Sequence, residues 1–105
     1  MSKLTEITGN IDEWDVQYRV HATKRMFQRN VDEEDVREVF LKGDIIERYE
    51  DDFPFPSVLI SGRSGFGRCL HVVIGIDIAE RRLYVITVYE PDPKKWADNF
   101  SRRLE

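Results

Sequence analysis

The sequence predicts an α+β fold, with a small, mostly antiparallel sheet of four to five strands. Two N-terminal helices pack on one face of that sheet, and a short helix ends the chain. Apolar residues between Ala22 and Phe40 recur at helical spacing, and from Asp44 to Glu90 the period falls to two. Asp92-Pro93 then has the form of an N-cap followed by proline at the first helical position. The order strand, helix, helix, four strands, helix places the helices together on one side of a meander. At 105 residues the chain is long enough for one core and too short for a second domain.

The elements follow in order. Residues 1–13, with a turn signal at Gly9-Asn10, are expected to be a tail, and residues 14–105 a single domain. Trp14 to Val20 alternates as a short strand. His21 to Arg29 has helix-forming residue types, with Ala22 and Met26 on one face, and Asn30 ends it. Asp32-Glu33-Glu34-Asp35 opens the second helix with a capping residue and negative charge at the positive end of the dipole. Val36, Val39 and Phe40 form its apolar face, and Lys42-Gly43 closes it. Strands are expected over Asp44–Glu50, Val58–Gly62, Arg68–Ile76 and Leu83–Glu90. Phe53-Pro-Phe-Pro56 cannot belong to a central strand, because proline has no ladder donor. Arg63 to Gly67 and Asp77 to Arg82 read as hairpin loops, so the last three strands form an antiparallel meander. Trp96, Ala97 and Phe100 would give the closing helix its apolar face.

Composition narrows the function classes. Charged residues are 34 % of the chain, above the usual ~25 %. Sixteen basic against 20 acidic residues leave a net charge of -4, so no global positive field draws nucleic acid or lipid, and any anion site must be local. No apolar run reaches the ~20 residues of a membrane span, and the first residues lack the core of a signal peptide. No membrane partner and a cytoplasmic location are expected. The single cysteine, Cys69, excludes an internal disulfide and sits in an apolar run as a small core residue. Two histidines 50 positions apart give no metal-ligand spacing, so neither metal nor other cofactor is expected. Arg63-Ser-Gly-Phe-Gly-Arg68 has glycines between basic residues, but lacks the lysine and following helix of a phosphate-binding loop.

The residues that look most like chemistry are the two histidines and the arginines near them. A four-residue step turns a helix by ~40°, so His21, Arg25 and Arg29 fall in one stripe. The plainer expectation is a solvated face in which Arg25 and Arg29 pair with the acidic second helix. On the third strand of the sheet region, His71 alternates onto a face with Cys69, Val73 and Gly75, where a histidine is usually a hydrogen-bonded core side chain. Ile45, Glu47 and Tyr49 share a face by alternation, which leaves Glu47 either at a sheet rim or held by Arg25 or Arg68. Tyr84, Tyr89 and Phe66 could stack bases, although strand aromatics usually pack.

Taken together, an ordered set of these residues resembles the domain-of-unknown-function 4258 family. It comprises His21-Ala22, Arg25-Met26, Arg29, Asp35-Val36, Gly43 to Glu47 with Tyr49, Gly67-Arg68 with Leu70 to Val73, and Val85 to Pro91. The set runs from about Tyr18 to Trp96. The resemblance implies a fold similar to the RelE/ParE/BrnT toxins, whose small sheet packed by helices often cleaves RNA without metal. It also implies RNA and an antitoxin-like protein as partners. In a metal-independent endoribonuclease His21 and His71 would be acid and base, with Glu47 a second base or an orienting group. Arg25, Arg29 and Arg68 would hold the phosphate, and Tyr89 would contact the substrate. The acidic net charge and Glu50-Asp51-Asp52 oppose that reading. The alternatives are a non-catalytic protein-binding module with a structural His/Arg network, or a regulator that binds a small anion. Burial separates them, since a structural network is sealed and a catalytic set lines a cleft. The open strand edges also suit a homodimer.

Overall fold

The chain runs across one face of its sheet in two helices before building most of that sheet. The computed structural model describes residues 2–65 and 67–104; Phe66, expected above as a stacking ring, lies outside the described residues. A short helix α1 (Thr5–Thr8) and a 3-10 turn (Ile11–Glu13) lead into strand β1 (Asp15–Tyr18). Helices α2 (Val20–Arg29) and α3 (Glu33–Lys42) follow, then β2 (Asp44–Tyr49), β3 (Ser57–Arg63), β4 (Cys69–Asp77) and β5 (Arg82–Tyr89).

Local chemistry explains the helix ends. Asn30 takes the left-handed conformation that ends α2, with φ of 55°. Asp32 and Asp35 bond reciprocally to each other's backbone N–H in a capping box at the start of α3. At the other end of α3, Gly43 is required by packing. A Cβ there would lie 2.6 Å from the Val39 carbonyl and 2.8 Å from that of Ser61.

The sheet falls within the expected four to five strands and three of its four strand pairs are antiparallel, whereas the expected closing helix is corrected. The sheet is five-stranded and mixed, in the order β1-β5-β4-β3-β2, with β1 parallel to β5 and the other pairs antiparallel. The helices carry the chain to the far edge, and the meander returns it beside β1 with β5 running the same way. The expected C-terminal helix is instead a small hairpin, β6 (Trp96–Ala97) with β7 (Arg102–Arg103). Asp92 does accept from the Lys94 N–H at 2.9 Å, as a cap would. The next turn fails because Asp98, Asn99 and Phe100 all have positive φ (54°, 58° and 66°), which a right-handed helix cannot contain.

The core lies between the helices and one face of the sheet. Ala22 and Met26 of α2, with Val36, Val39 and Phe40 of α3, pack on Ile60, Leu70, Val72, Ile74, Leu83, Val85 and Val88. The segment expected to be a tail contributes Leu4 and Ile11 to this core, and Ser2 bridges to Ile45 on β2.

Candidate functional site

On the opposite face of the sheet, two β-bulges decide which side chains meet. Strict alternation would keep Ile45, Glu47 and Tyr49 of β2 together. A register shift between Ile45 and Glu47 instead leaves Ile45 in the core, and turns Glu47 to the outer face opposite Leu59. In β5 a shift opposite Val73/Ile74 keeps both Val85 and Val88 in the core. Tyr89 thereby lands on the outer face, directly across from His71.

His71 is completely buried there, beneath the C-terminal hairpin. One ring nitrogen, Nε2, lies 2.8 Å from the Phe100 carbonyl oxygen, and Nδ1 lies 3.1 Å from the Tyr89 hydroxyl. A carbonyl only accepts, so Nε2 carries the proton and Nδ1 accepts from the Tyr89 O–H. The Trp96 ring meets the imidazole edge-on at 4.4 Å, and the Tyr89 ring does so at 5.2 Å. Burial pushes the His71 pKa below its ordinary value, against the opposing pull of the Phe100 bond and the Glu47 charge. The imidazole is therefore neutral at pH 7, with both nitrogens engaged.

Glu47 stands at the rim of the same cluster. Arg103 grips it in a fork, with Nε at 3.1 Å and Nη2 at 3.0 Å, and Tyr49 donates its hydroxyl to the same carboxylate. The Arg103 hydrogen bonds hold the Glu47 carboxyl below its usual range, although partial burial works the other way. Burial and the neighbouring carboxylate together push the Tyr49 phenol up to about 12. Arg103 also lies over the Trp96 ring at 4.6 Å, so one residue ties the hairpin to β2 by charge and by a cation–π contact. No described group of three or more His, Cys, Asp or Glu could hold a metal ion.

The seven residues singled out from the sequence thus divide into three places. His71, Glu47 and Tyr89 come together under the hairpin. Arg68 lies at the sheet–helix junction, where it donates to the carbonyls of Arg29 and Asn30 at 2.9 Å each and caps α2. It is flanked there by Asp35 and Glu90, each at 3.6 Å. A surface cleft of about 640 Å³ opens beside it, lined by Phe27, Val31, Asp32 and Ser64 among others. His21, Arg25 and Arg29 are exposed on α2, in the layer on the other side of the sheet from His71. The expected pairing of Arg25 and Arg29 with α3 does not form, since neither makes an ion pair among the described residues.

Sequence reasoning missed Arg103, the Phe100 carbonyl and the contact of Trp96 with His71, and it did not give Tyr49 a role in the site. Alternation does place Tyr49 on the face of Glu47, as i, i+2 neighbours on a strand. The other three depended on a hairpin that the local sequence disguises as a helix.

Fold and site together define a small α+β protein that closes its second sheet face with a neutral imidazole network beneath a C-terminal hairpin. It belongs to the family described as a domain of unknown function (DUF4258), which matches residues 18–90. That match runs from the last residue of β1 through β5 and contains His71, Glu47 and Tyr89, and it ends before the hairpin. No curated protein and no solved structure matches the chain. Among the described residues no helix is long and apolar enough to cross a membrane.

Proposed function

We propose that this protein is a non-catalytic protein-binding module, and that its His71 network is a structural fastening for the C-terminal hairpin. The observation that supports this is the complete burial of His71, with both ring nitrogens bonded inside the protein. A general acid or base must reach the proton it moves. Here His71 meets a phenol and a backbone carbonyl, and no solvent. A small-anion site at Arg68 gains no support from the geometry: its guanidinium is occupied by two carbonyls and faces two carboxylates.

The test is induced expression in bacteria of wild type and His71→Ala, following growth and total RNA integrity. Unimpaired growth and intact RNA for both chains are the expected result. Growth arrest with RNA cleavage by wild type, lost in a folded His71→Ala, would sink this reading.

A second reading keeps the likeness to RelE/ParE/BrnT toxins and a metal-independent ribonuclease. What favours it is the gathering of an imidazole, a carboxylate and two phenols from the sheet in one cluster beneath the hairpin. It requires the hairpin to leave, so Arg103→Ala should then increase RNA cleavage. Under the first reading the same change only loosens the hairpin.

A further inference from the structure

The most unusual surface on the molecule is α2. In a chain of net charge -4, the stretch from Arg19 to Arg29 carries Arg19, Lys24, Arg25 and Arg29 and no acidic residue. Lys24, Arg25 and Arg29 are all exposed and form no ion pair among the described residues. Val20, Lys24 and Phe27, at i, i+4 and i+7, make the outermost stripe, on which Val20 is 72 % and Phe27 89 % exposed. Large apolar side chains this open, beside unpaired cations, are the composition of an interface.

The complementary surface is on the same chain. The β2–β3 loop presents Glu50 and Asp51, exposed and without an ion-pair partner among the described residues, and then Phe53 at 94 % exposure. This loop meets the start of α2. Arg19 lies over the Tyr84 ring at 4.7 Å, Phe55 stacks on Tyr84 at 5.4 Å, and Arg19, Asp52 and Phe53 line one small cleft with them. The basic half on α2 and the acidic half on the loop therefore meet through Arg19, which precedes Val20 and lines one cleft with Phe53, so that these two exposed apolar side chains flank the meeting point as a seam.

We propose that this patch is a self-complementary interface for a second copy of the chain. A two-fold axis through the seam sets Lys24 and Arg25 of one copy against Glu50 and Asp51 of the other, and the reverse contact forms at the same time. Val20 and Phe53 from both copies are buried between them. An extended nucleic acid fits less well, because acidic Glu50-Asp51-Asp52 at one end of the helix and Asp32 to Asp35 at the other repel a polyanion. This goes beyond the binding-module reading, and uses none of the side chains that contact His71.

Sedimentation velocity tests it with the full chain and two double variants, Lys24→Glu/Arg25→Glu and Glu50→Lys/Asp51→Lys. Wild type should dimerise at about 100 μM in low salt and weaken as salt rises. Each variant alone opposes like charges and should lose at least about tenfold in affinity. An equimolar mixture of the two should regain the dimer, because both contacts are then complementary again. Circular dichroism identifies any variant that fails to fold, in which case Lys24→Glu and Asp51→Lys replace the pair. A wild type that stays monomeric, variants that dimerise like wild type, or folded variants that do not rescue each other would overturn the proposal. Binding of RNA by a monomeric wild type, lost in Lys24→Glu/Arg25→Glu, would assign the helix to nucleic acid instead.

Discussion

His71 is a residue type that suggests catalysis, yet in the fold it is fully buried and both its ring nitrogens are bonded within the protein. Replacing it with Phe leaves the Tyr89 hydroxyl and the Phe100 carbonyl unpaired in a sealed space, at a cost of about 2–4 kcal/mol. Urea denaturation at pH 7 measures this directly, and a loss below about 0.5 kcal/mol would contradict the network. The pH dependence has a definite sign. His71 is harder to protonate folded than unfolded, so its contribution is fully present above the ordinary value of 6.5. It is lost as pH falls below that value toward the lowered folded pKa. Glu47 is also depressed, so its contribution is present above the ordinary 4.5 and lost only as pH falls further. The denaturation midpoint should therefore fall in two stages on acidification, and His71→Gln should remove the upper stage alone.

Two elements carry most of the testable mechanics. Gly43→Ala forces a Cβ against two carbonyl oxygens where α3 meets β3, and should destabilise by ~1–3 kcal/mol. Asp32→Ala removes half the capping box and should cost about 1 kcal/mol. Thermal unfolding of the two variants checks both magnitudes. The hairpin is a two-residue ladder secured to the sheet by His71 and Glu47, with its own Trp96 packed against the imidazole. In a Trp14→Phe background, Arg103→Ala should shift the Trp96 emission to the red, because that buried ring gains water; an unchanged spectrum would mean that Arg103 does not hold the hairpin.

Those elements were unequally legible in the sequence. The α3 cap and the period of its apolar face were plain, because Asp32, Asp35, Val36 and Val39 interact within one or two turns. Glu47 and Tyr89 were singled out without their geometry, since a bulge is a property of two paired strands and leaves little trace in either one. The segment from Asp92 to Phe100 carries helical signals at its start. Contact of Trp96 with His71 and of Arg103 with Glu47 outweighs them.

For the whole molecule, the two histidine-bearing stretches end on different layers. His21, Arg25 and Arg29 are at the solvent side of the helices, and His71 lies behind the sheet, so the single cationic pocket that their sequence neighbourhoods suggest does not form. That separation leaves a back face fastened by the hairpin and a charged helix on the front. It predicts that charge changes on α2 leave the His71-dependent acid transition where it is. Acid titration of Lys24→Glu/Arg25→Glu measures this, and a displaced upper stage would mean that the two faces are coupled.

The sequence by itself determined α2, α3, the meander and the apolar faces of those two helices and of β4, because periodicity and caps act over a few residues. It also determined the family, through an ordered set of short motifs. Tertiary structure alone decided that β1 closes the sheet in parallel, that two bulges turn Glu47 and Tyr89 toward His71, and that a hairpin seals them. These depend on pairings between residues tens of positions apart, whose register is set by how the whole sheet and its two faces pack.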